Sequence, residues 1–267
     1  LLEQLLPFFP YGFNRYHEPF VGGGAVFFEL YSWGLLKNKD VYLSDINSEL
    51  VNAYLVVRDK PDDLLEKLKA HKEQHSKEFY YKIRELDRAD DFKNLPDVDR
   101  AARFIYLNKT CFNGLYRVNK KGYFNTPVGS YKNPNIVDTD TILNASEALQ
   151  GVHIECRGFE EVINNADKGD LVYLDPPYYP LSTTSSFTSY DSNCFLEDEQ
   201  YKLYEVFDKL FTKGCYVIES NSYTEFIKRL YFKFHIETVY ANRSVNSKPN
   251  NRGPIPEVVI VGGISLV

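Results

Sequence analysis

Asp175-Pro176-Pro177-Tyr178 closes the apolar run Leu171-Val172-Tyr173-Leu174 with a carboxylate, two prolines and an aromatic ring. That set suits an amino group on a flat ring. The exocyclic amine of a purine is a poor nucleophile, because its lone pair is delocalised into the ring. A carboxylate that accepts one N–H and a peptide carbonyl that accepts the other draw the nitrogen out of plane and orient the lone pair. Asp175 and the Pro176 carbonyl are placed for those two bonds, and the prolines limit backbone reorganisation. Tyr178 can stack on the base. A plain strand-ending turn, with Asp175 as a cap and Tyr178 over the core edge, is the competing reading.

An amine clamp needs an electrophile beside it. Val21-Gly22-Gly23-Gly24 precedes the helix-like stretch Ala25-Val26-Phe27-Phe28-Glu29-Leu30. Glycines let the backbone approach a ligand closely, and a helix start presents unpaired N–H groups to an anion. Asp45 lies 21 residues beyond Gly24, at the expected end of the short strand Val41-Tyr42-Leu43, where a carboxylate can accept both ribose hydroxyls. The run is not Gly-x-x-x-x-Gly-Lys-Ser/Thr, and Phe27 stands where a dinucleotide motif carries its third glycine. S-adenosylmethionine is therefore a better candidate cofactor than ATP or NAD. Phe20 and Phe159 could each lay a ring on its adenine, or belong to the core.

The formal charge is −6, yet residues 100–132 carry Arg100, Arg103, Lys109, Arg117, Lys120, Lys121 and Lys132 and no Asp or Glu. This strip is the natural phosphate-facing surface. Asn113 can pair bidentately with adenine and Arg117 with guanine, while Tyr116, Tyr123, Asn125 and Tyr131 add stacking and hydrogen-bonding groups. A base must leave a duplex to reach a strand-end pocket. Phe187 and Tyr190, in the polar stretch 181–192, could close over it. Arg243, Lys248 and Arg252 form a second acid-free segment that could touch phosphate. A solvated cationic face is the bland reading of the strip, and a mobile loop that of the second segment.

These residues need positioning by an α/β unit. Strands are expected at 41–43, 152–156, 171–174, 215–219, 234–240 and 257–264, with helices at 48–58 (capped by Asn47), 100–113, 197–211 and 223–231. The expected fold is a Rossmann-like α/β methyltransferase core, residues 1–57 and 140–267, with an inserted, mainly helical recognition domain at 58–139 that contains a hairpin around Asn119-Lys120-Lys121-Gly122. Cys111, Cys156, Cys194 and Cys215 are too dispersed for a CxxC site, and His71 and His75 lack companions for a metal. No apolar run of about 18 residues points to a membrane. A reducing cytoplasm fits best.

In this order the motifs resemble those of the Dam-like DNA adenine-N6 methyltransferases, in the class whose glycine motif precedes the recognition region. The resemblance rests on Glu18-Pro19-Phe20-Val21-Gly22-Gly23-Gly24, Asn113-Gly114-Leu115-Tyr116-Arg117, Phe124-Asn125-Thr126-Pro127-Val128-Gly129-Ser130-Tyr131-Lys132, Asp175-Pro176-Pro177-Tyr178 and Phe187-Thr188-Ser189-Tyr190. It implies methyl transfer from S-adenosylmethionine to adenine N6 in double-stranded DNA at GATC. Asp175 and the Pro176 carbonyl would grip N6, and Tyr178 would stack on the flipped base. Phe20, Gly22, Gly24, Asp45 and Phe159 would hold the cofactor. Asn113, Leu115, Arg117, Tyr131 and Lys132 would meet the DNA. A monomer with a functional link to a cognate restriction endonuclease is the expected setting.

Two departures accompany the resemblance. Members often begin with a Lys-Trp-x-Gly-Gly-Lys segment over the methionine end of the cofactor, and this chain starts after that point. Some place Asp before the aromatic matched by Phe159, whereas Gly158 stands here, leaving backbone or Glu160 to supply that bond. Methyl transfer to RNA or to a protein amide, and a non-catalytic DNA-binding protein on a methyltransferase scaffold, are the alternatives.

Overall fold

The computed structural model of the protein describes residues 2–181, 195–241 and 254–263. Among them, seven strands form one sheet: β1 (Tyr16–Glu18), β2 (Val41–Asp45), β3 (His153–Cys156), β4 (Leu171–Leu174), β5 (Tyr216–Ser222), β6 (His235–Ala241) and β7 (Ile255–Gly262). Their order is β3-β2-β1-β4-β5-β7-β6. The first five run parallel, and β7 lies antiparallel between β5 and β6. This is a mixed α/β fold, with helices flanking a central sheet.

Every residue of β1 and β4 is buried, because each lies inside the sheet with both faces covered. That accounts for the unbroken apolar run at 171–174, which shows no alternation. Strand order reverses between β1 and β4, and the carboxyl ends of strands at such a point form the crevice where open α/β sheets bind ligands. One face of the sheet packs Val172, Leu174, Val217, Val258 and Ile260 against Leu203, Val206, Phe207 and Leu210. The last four recur at helical spacing on Glu197–Lys213, which Gly214 ends at φ 87°.

Among the expected strands β4 keeps its span and the others shift at one or both ends, β5 and β7 the most. β5 continues past Glu219 to Ser222 because β7 pairs with it as far as Ser222 opposite Glu257. The last strand stops at Gly262 because Gly263 turns into the left-handed region, φ 83°.

The chain divides into two compact units, Leu1–Ile46 with Gly151–Val267, and Asn47–Gln150. The second is helical, built from Ser48–Asp59, Pro61–Glu73, Lys77–Glu85, Asp97–Thr110 and Thr139–Ala148. Asn47 caps the first of these, accepting from the N–H groups of Glu49 and Leu50 at 3.1 and 3.3 Å. The helix expected at 100–113 runs instead from Asp97 to Thr110, starting directly after Pro96. The Arg58 carbonyl accepts from Ser146 Oγ at 3.1 Å and Gln150 Nε2 at 2.9 Å, tying the two ends of this unit together. His71 and His75 both pack their rings on Tyr106. Among the described residues no helix is long and apolar enough to cross a membrane.

Candidate active site

The carboxyl ends of β1, β2 and β4 open on a cavity of about 810 Å³ within the first unit. Its size falls in the range of small-molecule sites, about 300–1,000 Å³. The glycine turn forms one wall. Val21 N–H donates to the Ser44 carbonyl at 3.0 Å, and Gly22 and Gly24 adopt φ of 46° and 68°, a region costly for a residue with a Cβ. Gly22 N–H donates to Asp45 Oδ2 at 3.2 Å, so the strand-end carboxylate is held at the turn. Gly22 and Asp45 both line the cavity. Gly24 does not; it is buried as the cap of Ala25–Ser32, and its carbonyl accepts from Phe28 N–H at 2.9 Å.

Beside Asp45 the wall is aromatic. Phe20 and Phe159 stack with centroids 5.1 Å apart, and Phe195 meets them at 5.8 and 5.7 Å. Ile46, 79 % exposed, adds an apolar surface to the cavity. A Cβ on Gly158 would stand 2.7 Å from Glu160 Oε2, so the Glu160 carboxylate occupies the space a side chain at 158 would need. Aromatic rings, an exposed aliphatic group, a carboxylate at a strand end and glycine backbone fit a nucleoside-bearing cofactor.

Asp175, Pro176 and Tyr178 line the same cavity. Asp175 is exposed to the open cavity, but the protein packed around the turn takes part of the water from its carboxylate. This desolvation, reinforced by the charge of Glu257, pushes its pKa up to about 6, while a Tyr178 hydrogen bond acts in the opposite sense. The Tyr178 hydroxyl donates to Glu257 Oε2 at 3.2 Å. Glu257, only 5 % exposed, stands on β7 and also lines the cavity. Nearby, Glu18 is fully enclosed and accepts from the Tyr16 hydroxyl at 2.8 Å; burial pushes its pKa up to about 8, so it is mostly protonated at neutral pH.

Sequence reasoning missed Glu257, Phe195 and Ile46. An acid in the apolar run of β7 was a readable anomaly. Phe195 and Ile46 had no such mark, since nothing in their neighbouring residues sets them apart; Phe195 joins the two expected rings only in the fold. Among the described residues no group of His, Cys, Asp and Glu is placed to hold a metal ion.

In the second unit, Asn113, Leu115, Arg117, Tyr131 and Lys132 are all exposed. Asn113 adopts φ 54°, in the short turn that follows Asp97–Thr110. Residues 117–125 form a hairpin: Asn125 N–H donates to the Arg117 carbonyl and Asn119 N–H to the Tyr123 carbonyl, both at 2.9 Å. Arg117 Nε also donates to Asn125 Oδ1 at 2.7 Å. The cationic strip is smaller than the sequence suggested. Arg103, 4 % exposed, pairs with Asp87 at 2.8 Å and donates to the carbonyls of Ile83 and Arg84. Arg100 donates to both oxygens of Glu49. The strip contains no acid of its own, but acids from elsewhere in the unit fold against it. Phe187, Tyr190, Cys194, Arg243, Lys248 and Arg252 lie outside the described residues.

Residues 1–245 match the family model of the D12 class N6 adenine-specific DNA methyltransferases. The chain is 42% identical over 264 residues to the type II methyltransferase M1.LlaDCHI of Lactococcus lactis subsp. cremoris, covering 97% of this chain and 91% of that protein. It is 47% identical over 251 residues to the type II methyltransferase M.MjaIII of Methanocaldococcus jannaschii, covering 90% and 84% respectively. Over 248 residues it is 33% identical to the DNA adenine methylase of Escherichia coli (strain K12), covering 91% and 84%.

Proposed function

Because the chain belongs to the D12 class of N6-adenine-specific DNA methyltransferases, a family that uses S-adenosylmethionine, we propose that it methylates N6 of an adenine flipped out of duplex DNA at GATC. One observation carries this reading: Asp45 with Phe20 and Phe159, and Asp175 with Tyr178, line a single cavity. A cofactor site and an amine clamp thus share one space.

S-adenosylmethionine, when bound, supplies an electrophilic methyl group on a sulfonium. Asp45 accepts the ribose hydroxyls, Phe20 and Phe159 form the aromatic wall for its adenine, and Glu160 takes the place of the acid that Gly158 lacks. Gly22 lets the backbone approach closely, and Gly24 shapes the turn from behind. Asp175, ionised, accepts one N6–H of the target adenine and the Pro176 carbonyl accepts the other, which orients the lone pair. Tyr178 stacks on the base, its hydroxyl held by Glu257. The proton leaves after transfer, to Asp175 or to solvent.

Asn113, Leu115, Arg117, Tyr131 and Lys132 form the DNA-reading surface, with residues 58–139 as the recognition domain. The GATC target rests on the resemblance of Asn113 to Arg117 and of Tyr131 to the family's recognition motifs. Two relatives are named type II methyltransferases, which supports a role beside a cognate endonuclease. The enzyme acts as a monomer in the cytoplasm. Methylation of mixed-sequence duplex DNA, followed by mapping of the modified bases, tests atom and target together. N6-methyladenine confined to GATC is expected; methylated cytosine, or N6-methyladenine elsewhere, refutes the corresponding part.

A further inference from the structure

The turn that carries the proposed chemistry lies beyond the backbone ladder. The last pair between β4 and β5 is Leu174 opposite Glu219, so Asp175 to Tyr178 have no sheet register to hold them. Two fully buried amides stand there instead. Gln200, on Glu197–Lys213, donates from Nε2 to the Pro177 carbonyl at 3.3 Å. Asn221, on β5, accepts at Oδ1 from Tyr179 N–H at 3.3 Å. The turn is thereby gripped on both sides of Tyr178.

The two amides are also bonded to each other. Asn221 Nδ2 donates to Gln200 Oε1 and to Glu219 Oε1, each at 3.0 Å, and Asn221 Oδ1 takes a second bond from Ser222 N–H at 2.8 Å. All four hydrogen-bonding positions of Asn221 are filled, which fixes the direction of its amide. Both side chains are 0 % exposed, and in such surroundings a hydrogen bond is stronger than in water and its loss leaves a buried polar group without a partner.

We infer that Gln200 and Asn221 act as a brace that sets the orientation of the Asp175-Pro176-Pro177-Tyr178 turn, and are positioning residues for methyl transfer. This rests on the amine-holding role proposed above for the turn. Neither amide lines the cavity. The brace holds one carbonyl and one N–H of the turn from the helix and from β5, and so ties the aim of Asp175 and Tyr178 to the rigid part of the fold. Small misplacements of reacting groups are costly: about 1 Å is worth roughly 100-fold in rate.

The test uses the full chain with labelled S-adenosylmethionine and mixed-sequence duplex DNA. Gln200→Met keeps the side chain's length and removes both ends of its hydrogen bonding. It is expected to lower kcat by about 10- to 100-fold, with KM for DNA and cofactor, and the affinity for S-adenosylhomocysteine, within about 3-fold of wild type. Asn221→Asp, which retains the acceptor for Tyr179 and loses the donors to Gln200 and Glu219, is expected to show the same split. Because the two act as a unit, the double variant should fall no more than about 3-fold below the worse single one. If Gln200→Met does not fold, Asn221→Asp carries the test.

A kcat within about 3-fold of wild type in a folded variant overturns the brace, as does a loss of rate matched by equal losses of cofactor binding and thermal stability. Asp175→Ala in the same assay separates the two levels. If it still transfers methyl groups at the wild-type rate, the underlying reading fails; if it is inactive while Gln200→Met is unimpaired, only the brace fails.

Discussion

The Tyr178 hydroxyl donates to the Glu257 carboxylate at 3.2 Å, and that same carboxylate helps to hold Asp175 above the usual carboxylate range. The residue proposed to stack on the base and the residue proposed to grip its amine therefore answer to one buried acid on β7. With a pKa near 6, Asp175 is mostly ionised at pH 7 but loses its acceptor charge as pH falls through that value. The single-turnover rate should rise with pH through about 6. Glu257→Gln keeps an acceptor for Tyr178 and removes the like charge, so the Asp175 pKa should fall and the acid limb should move to lower pH. An unmoved limb in a pH–rate profile would show that Glu257 does not govern Asp175.

Asp45 stands at the glycine turn with Gly22 N–H bonded to it. Its removal should cost the cofactor a charged hydrogen bond, about 1.5–3 kcal/mol. Asp45→Ala is expected to weaken S-adenosylhomocysteine binding by about 10- to 100-fold in calorimetric titration. Unchanged affinity would place the ribose elsewhere.

Glu219 is fully enclosed, and burial pushes its pKa up to about 8. A raised folded-state pKa means that the folded protein keeps the proton after the unfolded chain has lost it. Stability is then lost as pH rises from about 4.5, the ordinary value, to about 8, by roughly 1.4 kcal/mol per pH unit for this group. Glu219→Gln should remove that contribution, so its Tm should gain on wild type progressively between pH 5 and pH 8. Glu18, raised to a similar value, leaves a residual slope in the variant. Parallel melting curves for the two proteins across this window would contradict the buried, protonated Glu219.

Arginines and lysines of the 100–132 strip should divide into two classes. Asp87 pairs with buried Arg103 and also accepts from Phe124 N–H at 2.7 Å. Asp87→Ala leaves that guanidinium without its partner and should destabilise the protein by about 3–5 kcal/mol in denaturant unfolding. Lys132→Ala, on the exposed surface, should leave stability within about 0.5 kcal/mol. It should instead lower the slope of log K for DNA against log salt by about 0.9. If Lys132→Ala leaves that slope unaltered, Lys132 meets no phosphate.

Much of this arrangement was legible before folding. Leu171 to Leu174 reads as an enclosed strand because nothing in it alternates, and Asn47 reads as a cap because its amide can satisfy the first N–H groups of the helix that follows. The glycine turn, Asp45 and Asp175 to Tyr178 announce themselves through residue type at element ends, where chemistry is local. Arg100 and Arg103 misled for the opposite reason. Charge counted along the chain cannot register that Glu49 and Asp87, far away in sequence, fold against them.

By itself, then, the sequence determined which groups are available and on which kind of element each sits, since strand ends, caps and tight turns are set by neighbouring residues. Only the tertiary structure decided which of them meet. It set β7 beside β5, bringing Glu257 to Tyr178, and it brought Gln200 from a helix and Asn221 from a strand to either side of the same turn. Such meetings depend on the order and direction of strands in the sheet, which arise from the packing of the whole core and leave no local mark on the chain.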